Sequence, residues 1–309
     1  MRVVVTGSGG RLGRALMAAF SETAISGPAG PRGWDVPDYQ LDDPDSAERH
    51  VARDRPDVVI HTAAWTDVDG CAREPTLALR RNGAATGELA AACVRHGADL
   101  VVISTNEVFD GRRTDGRGYT PGDPTGPINA YGRSKLAGEE AARAAFEVGA
   151  PGTMVAATDR RPQLGIVRTA WLFGPPGGDF PAKILAAAER ARAAGEPLRV
   201  VRDEIGAPTY TLDLAAAVVE LVEAGAARGV HHLVNAGRVS RAGWAAEVLR
   251  GAGIAVTLEE VAADAWPRPS TPPAWGVLEP TPLPGGEPLR SWQEALADYL
   301  PALLRSAAT

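Results

Sequence analysis

A chain of 309 residues is long for a single domain and suits one large α/β unit that carries a smaller one. Its hydrophobic fraction of 45% and charged fraction of 23% are those of a soluble globular protein, and its apolar runs are too short to span a membrane. The formal net charge of -6 and the scattered arginines argue against a nucleic-acid partner. Because glycines soon interrupt the apolar N-terminal run, we expect no signal peptide and a cytoplasmic protein.

Apolar runs and alanine-rich helical patterns alternate along the first half of the chain, as in a parallel sheet that helices cover on both faces. The clearest strands are predicted at 3–6, 58–63, 100–105 and 165–169, with helices at about 11–23, 76–96 and 130–147. Glycines and prolines break the segment 27–33, so the second strand is predicted either to be very short or to centre on Trp34 and Val36. The pattern predicts an α/β fold with a Rossmann-type doubly wound parallel sheet.

The character of the sequence changes after residue 175, where a smaller C-terminal part is expected to begin. The later predicted elements are a helix at about 179–194, a strand near 198–202, a helix near 211–224 and a strand at 231–235. Closely spaced prolines forbid long regular structure within residues 262–288.

A glycine-rich turn follows the first strand, where residues 6–13 read TGSGGRLG and fit the spacing TGxxGxxG. Glycines at a strand-to-helix junction let backbone amides approach a pyrophosphate, and the helix N-terminus adds partial positive charge. A plain structural turn is the alternative, but the N-terminal βαβ setting favours dinucleotide binding. The choice between NADH and NADPH stays open, because both an acid, Asp35, and a base, Arg32, lie near the end of the second strand.

Further site residues are predicted at the carboxyl ends of the third and fourth strands, where open α/β sheets bind ligands. Thr105 offers a hydroxyl that can hydrogen-bond a substrate carbonyl, although it could equally cap a turn. The predicted coenzyme-binding residues are Gly7, Gly9, Gly10, Arg11, Leu12, Gly13, Asp35, Gln40, Leu41, Ala63, Ala64, Trp65, Tyr131 and Lys135.

Tyr131 and Lys135 lie four residues apart in the predicted helix 130–147 and therefore share one helix face. A nearby ammonium stabilises a phenolate, and the broad guanidinium fork of arginine is not an equivalent substitute. This spacing alone also fits an ordinary exposed helix with Tyr131 half buried. Because the glycine-rich turn and Thr105 precede the pair, we predict that Thr105, Tyr131 and Lys135 form a catalytic group.

Metal and thiol chemistry are not expected. Cys71 and Cys93 have no neighbouring metal-type ligands, so they are interpreted as reduced, buried thiols rather than as a zinc site or a disulfide. The histidines are spread along the chain without ligand spacing, and each is interpreted as structural. They are His50, His61, His96, His231 and His232.

Five further segments occur in an order that resembles a known family. They are AAWTDVD at 63–69, STNEVFDG at 104–111, YGRSKLAGE at 131–139, RTAWLFG at 168–174 and DEIGAPT at 203–209. With the glycine-rich turn they resemble an extended short-chain dehydrogenase/reductase and, more narrowly, the dTDP-4-dehydrorhamnose reductase family. The resemblance covers most of residues 1–236. It implies that a monomer or homodimer reduces the 4-keto group of a dTDP-linked 6-deoxyhexose with NADPH or NADH, in deoxysugar biosynthesis.

The resemblance also implies roles for residues. Tyr131 is implied as the proton donor, Thr105 as the contact to the carbonyl, and Lys135 as the residue that holds the nicotinamide ribose and lowers the pKa of the phenol. The implied substrate-binding residues are Val68, Thr105, Asn106, Glu107, Trp171 and Arg268. Residues 1–168 and 206–236 are implied to form the dinucleotide-binding domain, and residues 169–205 and 237–309 the sugar-nucleotide-binding domain.

The chain departs from the family pattern at several positions. Asn106 and Glu107 stand where the family usually has aspartate and often tyrosine, which leaves the sugar and the product stereochemistry open. Some members form magnesium-linked dimers, but Arg14 stands near the place of one acidic ligand. Glu189 and Glu196 are only loose candidates for the other ligand, so we predict no structural metal.

Alternatives to the reductase and to two residue roles stay open at this point. A sugar-nucleotide epimerase or dehydratase of the same fold is one, against which Asn106 weighs because dehydratases typically carry a carboxylate there. A non-catalytic, nucleotide-binding regulatory subunit is another, although it would be expected to lose part of the Thr, Tyr and Lys set. Trp171 could be a core aromatic instead of packing on a hexose, and Arg268 a surface residue instead of binding a diphosphate.

Overall fold

The computed structural model describes residues 1–148 and 161–307, in which strands and helices alternate. The strands are β1 (Val3–Thr6), β2 (Arg32–Trp34), β3 (Val58–His61), β4 (Asp99–Thr105), β5 (Leu164–Thr169), β6 (Leu172–Phe173), β7 (Leu198–Val201), β8 (Ile205–Gly206), β9 (Thr209–Tyr210), β10 (Gly229–His232), β11 (Val239–Ser240) and β12 (Leu258–Val261). The helices are α1 (Arg11–Ser21), α2 (Ser46–Asp54), α3 (Val68–Arg73), α4 (Pro75–Ala78), α5 (Ala85–His96), α6 (Ala130–Val148), α7 (Phe180–Ala194), α8 (Thr211–Glu223), α9 (Arg241–Ala252) and α10 (Trp292–Ala307). A π-helical turn, Leu79–Ala84, joins α4 to α5.

Six strands form one parallel sheet in the order β10, β5, β4, β3, β1, β2. The chain passes from β1 to its outer neighbour β2 and then crosses to β3 on the other side of β1, so the strand order reverses between β1 and β3. Ligands of open α/β sheets bind outside the carboxyl ends of the strands at such a point. The predicted Rossmann-type, doubly wound parallel sheet is confirmed.

Apolar side chains cover both faces of this sheet. Val3 and Val5 of β1 join the buried cluster that contains α1 and α8, whereas Val4 between them joins the cluster that contains α2 and α5. Alternate residues of a strand point to opposite faces, so a strand buried on both sides must be apolar throughout. This requirement explains why the central strands could be predicted from the sequence.

A second hydrophobic core lies around α7, α9 and α10. Trp244 of α9 is fully buried at its centre, and the ring of Phe180 stacks on it with centroids 4.4 Å apart. Strands β7 and β12 pair in parallel beside this core, and Leu198 and Val200 of β7 contribute to it. Within the described ranges, none of the helices combines the length and the apolar character that a membrane crossing requires.

Element boundaries differ from the sequence predictions in several places. Strand β2 covers only three residues and ends before Val36, which is 72% exposed, so the very short alternative is confirmed and the strand centred on Trp34 and Val36 is wrong. Strand β3 ends at residue 61, two residues before the predicted end. Strand β10 spans residues 229–232 rather than 231–235, because these four residues pair with residues 165–168 of β5. The predicted helix 76–96 is interrupted by the π-helical turn.

Candidate active site

The glycine-rich turn between β1 and α1 is closed by contacts that exclude larger residues. Gly7 has a φ of 63° and donates its N–H to the carbonyl of Trp34, with an N···O distance of 2.7 Å. A Cβ at Gly13 would lie 2.1 Å from the carbonyl oxygen of Gly7, and a Cβ at Gly7 would lie 2.9 Å from the backbone of Ala63. Only glycine fits such a turn, which is the arrangement that offers backbone amides to a pyrophosphate.

Asp35 faces this turn from the carboxyl end of β2. Its carboxylate accepts a hydrogen bond from the N–H of Gly9, and a Cβ at Gly9 would lie 2.6 Å from the same oxygen. Arg32 instead pairs with Asp54 of α2. Of the two residues that the sequence left open at this strand end, the acid is therefore the one beside the glycine-rich turn.

The side chains of several other predicted coenzyme residues are engaged within the protein. Arg11 donates to the carbonyl of Gly174, with an N···O distance of 2.6 Å, and pairs with Asp179 at 3.2 Å. Leu12 is buried in the core of the sheet, and the side-chain amide of Gln40 binds a neighbouring backbone carbonyl at 2.8 Å. Ala63, Ala64 and Trp65 lie just after β3, separated from it by one residue. Leu41 is partly buried and packs against the cluster around α2 and α5.

The side chains of Thr105, Tyr131 and Lys135 converge at the carboxyl end of β4. Thr105 is the last residue of this strand, and its hydroxyl shares a hydrogen bond with the phenol of Tyr131. Lys135 lies about one turn further along α6, and its Nζ donates to the carbonyl oxygen of Ile103 at 2.7 Å. The structure thus brings together the three residues that the sequence predicts as catalytic, at the same edge of the sheet as the glycine-rich turn.

The start of α6 is fixed by a side-chain cap and by close backbone approach. Asn129 precedes the helix, and its Oδ1 accepts the N–H of Gly132 at 2.8 Å. A Cβ at Gly132 would lie 2.1 Å from the carbonyl oxygen of Glu107, so only glycine lets the helix lie this close to the segment after β4. These contacts set the position of the tyrosine between them.

A buried ionic network behind Lys135 joins α6 to β4 and β5. The fully buried carboxylate of Glu139 accepts hydrogen bonds from Ser104 at 2.5 Å and from two nitrogens of Arg168 at 3.0 and 2.7 Å. Arg143 reaches the same carboxylate from the protein surface at 2.8 Å. Glu139 was not predicted from the sequence, although its position one helical turn after Lys135 was a usable signal.

Burial dominates the electrostatics of Tyr131 and Lys135. It lowers the pKa of Lys135 to about 8, and the charge of Glu139 opposes this change. It raises the pKa of Tyr131, an effect to which the charge of Glu107 adds and which the Thr105 hydrogen bond opposes. This direction is opposite to the lowering that the sequence predicts, because burial and the charge of Glu107 together outweigh the hydrogen bond from Thr105. The phenol therefore keeps its proton, and the ammonium is the first of the two groups to titrate on the alkaline side.

The two residues after Thr105 are turned toward the protein. Asn106 is buried, and its Nδ2 donates to the carbonyl of Gly276 at 3.0 Å. Glu107 accepts a hydrogen bond from Nδ2 of Asn129 at 2.6 Å, and burial raises the pKa of its carboxyl. The carboxyl of Glu107 is therefore turned toward the protein interior rather than toward solvent.

Trp171 and Arg268, both predicted to bind the sugar nucleotide, are held by other side chains. The guanidinium carbon of Arg241 lies 3.5 Å from the centroid of the Trp171 ring, and Trp171 has a φ of 45°. Nε of Arg268 donates to Asp69 at 3.0 Å, directly after Val68 at the start of α3. Trp171 is therefore packed on one face by a cation, and Arg268 connects the proline-rich segment to the sheet side of the molecule.

Arg241 is a further charged residue that the sequence analysis missed. It pairs with Glu204 at 3.3 Å, and burial lowers the pKa of its guanidinium, while Glu204 and then Glu107 oppose the change. Its place at the start of α9, far along the chain from the predicted catalytic residues, provided no motif that could have identified it.

The structural interpretation of His61 agrees with its surroundings. Its two ring nitrogens contact the hydroxyls of Thr6 at 2.8 Å and Thr86 at 3.3 Å, and burial lowers its pKa to about 3.

Cys71 and Cys93 are both buried and unpaired, as predicted. In the part of the chain that the structure describes, no group of three or more His, Cys, Asp or Glu side chains could hold a metal ion.

The sheet order, the glycine-rich turn and the chemistry gathered at the end of β4 define an NAD(P)-dependent oxidoreductase with a Rossmann-type fold. A family model described as the RmlD substrate binding domain matches residues 1–305. The chain belongs to the family of dTDP-4-dehydrorhamnose reductases, as its motifs indicated.

Relatives of the chain align over nearly its whole length. A dTDP-4-dehydrorhamnose reductase from Mycobacterium tuberculosis is 38% identical over 97% of this chain and 93% of its own. A dTDP-4-keto-6-deoxy-D-glucose reductase from Streptomyces niveus is 36% identical over 98% of this chain and 97% of its own. The crystal structure of dTDP-4-dehydrorhamnose reductase from Bacillus anthracis in complex with NADP has a TM-score of 0.84 and 28% identity, and the match covers 97% of this chain and 99% of that one.

Proposed function

We propose that the protein reduces the 4-keto group of a dTDP-linked 4-keto-6-deoxyhexose, with NADPH or NADH as reductant, in deoxysugar biosynthesis. The observation that carries this proposal is the convergence of Thr105, Tyr131 and Lys135 at the ligand-binding edge of the sheet. The near full-length similarity to named reductases of such sugars supports the substrate class. A cytoplasmic location and a monomeric or homodimeric state belong to the same proposal.

The coenzyme site of the proposal is built on the glycine-rich turn. Its fit to a dinucleotide is supported by the two places, Gly7 and Gly13, where any Cβ would collide with backbone, because such a turn offers amides to phosphate oxygens. When bound, a reduced nicotinamide supplies a hydride. Backbone groups of residues 7–13 and 63–65, the carboxylate of Asp35, and the side chains of Tyr131 and Lys135 are proposed to hold the coenzyme.

The chain's own groups are proposed to manage the proton of the reaction. The hydroxyl of Thr105 hydrogen-bonds the carbonyl oxygen of the sugar and polarises it. Tyr131, whose raised pKa keeps its phenol protonated, donates its proton to that oxygen as the alcohol forms. The ammonium of Lys135 stabilises the phenolate that remains, and buried Glu139 favours the charged form of this ammonium.

The sugar nucleotide is proposed to lie between the sheet and the second core. Residues 1–168 and 206–236 form the coenzyme side of this arrangement, and residues 169–205 and 237–309 form the sugar-nucleotide side. The proposed substrate-binding residues are Val68, Thr105, Asn106, Glu107, Trp171 and Arg268. The contact of Arg268 with Asp69 supports this division, because it connects the two sides beside the proposed site.

The proposal is tested by incubating the purified protein with a dTDP-4-keto-6-deoxyhexose and NADH or NADPH, and following the loss of reduced-nicotinamide absorbance. Catalytic oxidation of many equivalents of coenzyme is the expected result. Oxidation limited to one equivalent per protein would instead favour an epimerase or dehydratase that retains its coenzyme. No oxidation with either coenzyme, although both bind, would favour a non-catalytic nucleotide-binding subunit.

A further inference from the structure

The carboxyl end of β2 carries an acid whose position is fixed by backbone contacts. One oxygen of Asp35 accepts the N–H of Gly9, and the other accepts the N–H of Val36 at 2.9 Å. A Cβ at Gly9 would lie 2.6 Å from the carboxylate, so glycine at this position is what lets the acid come so close. The carboxylate is thus anchored directly against the turn that opens the proposed coenzyme site.

The nearest arginine of the same strand is held in another direction. Arg32 pairs with Asp54, whose carboxylate also binds the indole N–H of Trp34 at 2.8 Å and the guanidinium of Arg53 at 2.8 Å. The side chain of Asp54 is only 4% exposed, and its arginine partners lower its pKa, so this acid is a strong anchor for the cation. In the structure the guanidinium of Arg32 is therefore directed to Asp54 rather than to the glycine-rich turn.

The two nicotinamide coenzymes differ at one group, which lies on the adenosine ribose. NADH has a 2′-hydroxyl there, and NADPH has a 2′-phosphate. A carboxylate at the end of the second Rossmann strand accepts a hydrogen bond from the hydroxyl, and each of its oxygens can accept more than one hydrogen bond. The same carboxylate repels a phosphate, because like charges face each other at short range.

We propose that the protein selects NADH over NADPH, and that Asp35 is the residue that makes this selection. The proposal rests on the proposed function only in that a nicotinamide coenzyme binds at the glycine-rich turn. The Bacillus anthracis relative was crystallised with NADP, so assigning its coenzyme to this protein would instead give NADPH. Arg14 of α1, whose Nε donates to the carbonyl of Gly9 at 2.7 Å, contacts the same turn and is the cation that would have to compensate Asp35 if NADPH bound equally well.

The test is a binding titration without sugar. NADH and NADPH are each titrated into the purified protein, and binding is followed by tryptophan quenching and by calorimetry. We expect the Kd for NADH to be lower than that for NADPH by about tenfold or more. In Asp35→Asn, which keeps the shape and removes the charge, the Kd for NADPH should fall and the ratio of the two constants should approach unity.

Asp38→Asn is the matched control, because it removes the same charge from an exposed acid of the same loop. This variant should keep the wild-type ratio of dissociation constants. Equal or tighter binding of NADPH by the wild type would overturn the proposal, as would an unchanged ratio in Asp35→Asn. Since no sugar is present, tight NADH binding by a protein without reductase activity would refute the proposed function but not the selection.

Discussion

The proposed reaction depends most on the phenol of Tyr131, which donates the proton. In Tyr131→Phe the ring still fills its place on α6, but the hydroxyl that hydrogen-bonds Thr105 is lost. We expect kcat for ketone reduction to fall by about 10²- to 10⁴-fold, because a positioned acid contributes that much to a proton transfer. The coenzyme Kd should change little, because Lys135, Asp35 and the backbone of the glycine-rich turn keep their proposed contacts with the coenzyme. Initial rates of coenzyme oxidation and a coenzyme titration measure the two quantities.

Tyr119→Phe is the control for this substitution. Its hydroxyl donates to Asp110 at 2.7 Å and has no part in the proposed chemistry, so this variant should turn over at close to the wild-type rate. A Tyr131→Phe protein as active as the control would remove the assignment of Tyr131 as the acid.

The ammonium of Lys135 should control how the reaction depends on pH. Burial lowers the pKa of Lys135 to about 8 and raises that of Tyr131, so the ammonium titrates first as the pH rises. A group with a lowered pKa is charged only below that value, and kcat/KM should therefore be maximal below pH 8 and decline above it. A pH profile at saturating coenzyme measures this limb. A profile that stays flat to about pH 10, the ordinary range of lysine, would contradict the assignment.

At the scale of elements, the buried carboxylate of Glu139 fastens α6 to two strands of the sheet. Glu139→Gln removes the charge that Arg168 and Ser104 face, and leaves the guanidinium of Arg168 buried without a counter-charge. Breaking one partner of a buried pair costs about 3–5 kcal/mol, and urea denaturation should show a loss of that order in the free energy of unfolding. Because Glu139 also opposes the lowering of the Lys135 pKa, the alkaline limb should move to lower pH.

Arg143→Ala offers the comparison within the same network. Arg143 reaches Glu139 from the surface and is 34% exposed, so its loss should cost only about 0–1 kcal/mol. It should leave the pH profile nearly unchanged. Similar losses in the two variants, with no movement of the alkaline limb, would show that Glu139 does not act on Lys135.

How far an element could be predicted from the sequence depends on where its neighbours lie. Strands β1, β3, β4 and β5 are buried on both faces, which leaves continuous apolar runs in the sequence. Strand β12 forms a two-stranded sheet with β7 and has two exposed glutamates, so it has no such run. The π-helical turn depends on tertiary contacts, since the amide of Asn82 bonds Trp65 and also Ser134 of α6. Helical periodicity cannot anticipate contacts of this kind.

The same limit on prediction from the sequence applies to the candidate site, where the contacting residues lie further apart in the chain. Thr105, Tyr131 and Lys135 were predictable because they lie in ordered local motifs at the end of a strand and on one helix face. Contacts between distant segments could not be predicted in this way, because they join residues far apart in the chain. Arg11 and Asp179 are separated by 168 positions, and Asp69 and Arg268 by 199. Only the folded structure brings such partners together.

At the scale of the whole molecule, the contact between Arg268 and Asp69 connects the proline-rich segment 262–288 to helix α3, which follows strand β3 of the sheet. The amide of Ser270 donates to the same carboxylate at 3.1 Å, so the segment is held at two points. Arg268→Ala removes the side-chain contact and a guanidinium that is suited to a diphosphate. We expect KM for the sugar nucleotide to rise by about tenfold or more, as loss of a paired, charge-assisted contact implies.

The coenzyme Kd should stay unchanged in Arg268→Ala, because Arg268 lies on the sugar-nucleotide side of the proposed site. Arg250→Ala is the matched control. Arg250 lies exposed on α9 and pairs with Glu247, away from α3, so its loss should leave both constants as they are. Steady-state kinetics with varied sugar nucleotide, together with a coenzyme titration, separate the two effects. An equal rise in KM in both variants, or a weakened coenzyme affinity in Arg268→Ala alone, would place the action of Arg268 outside substrate binding.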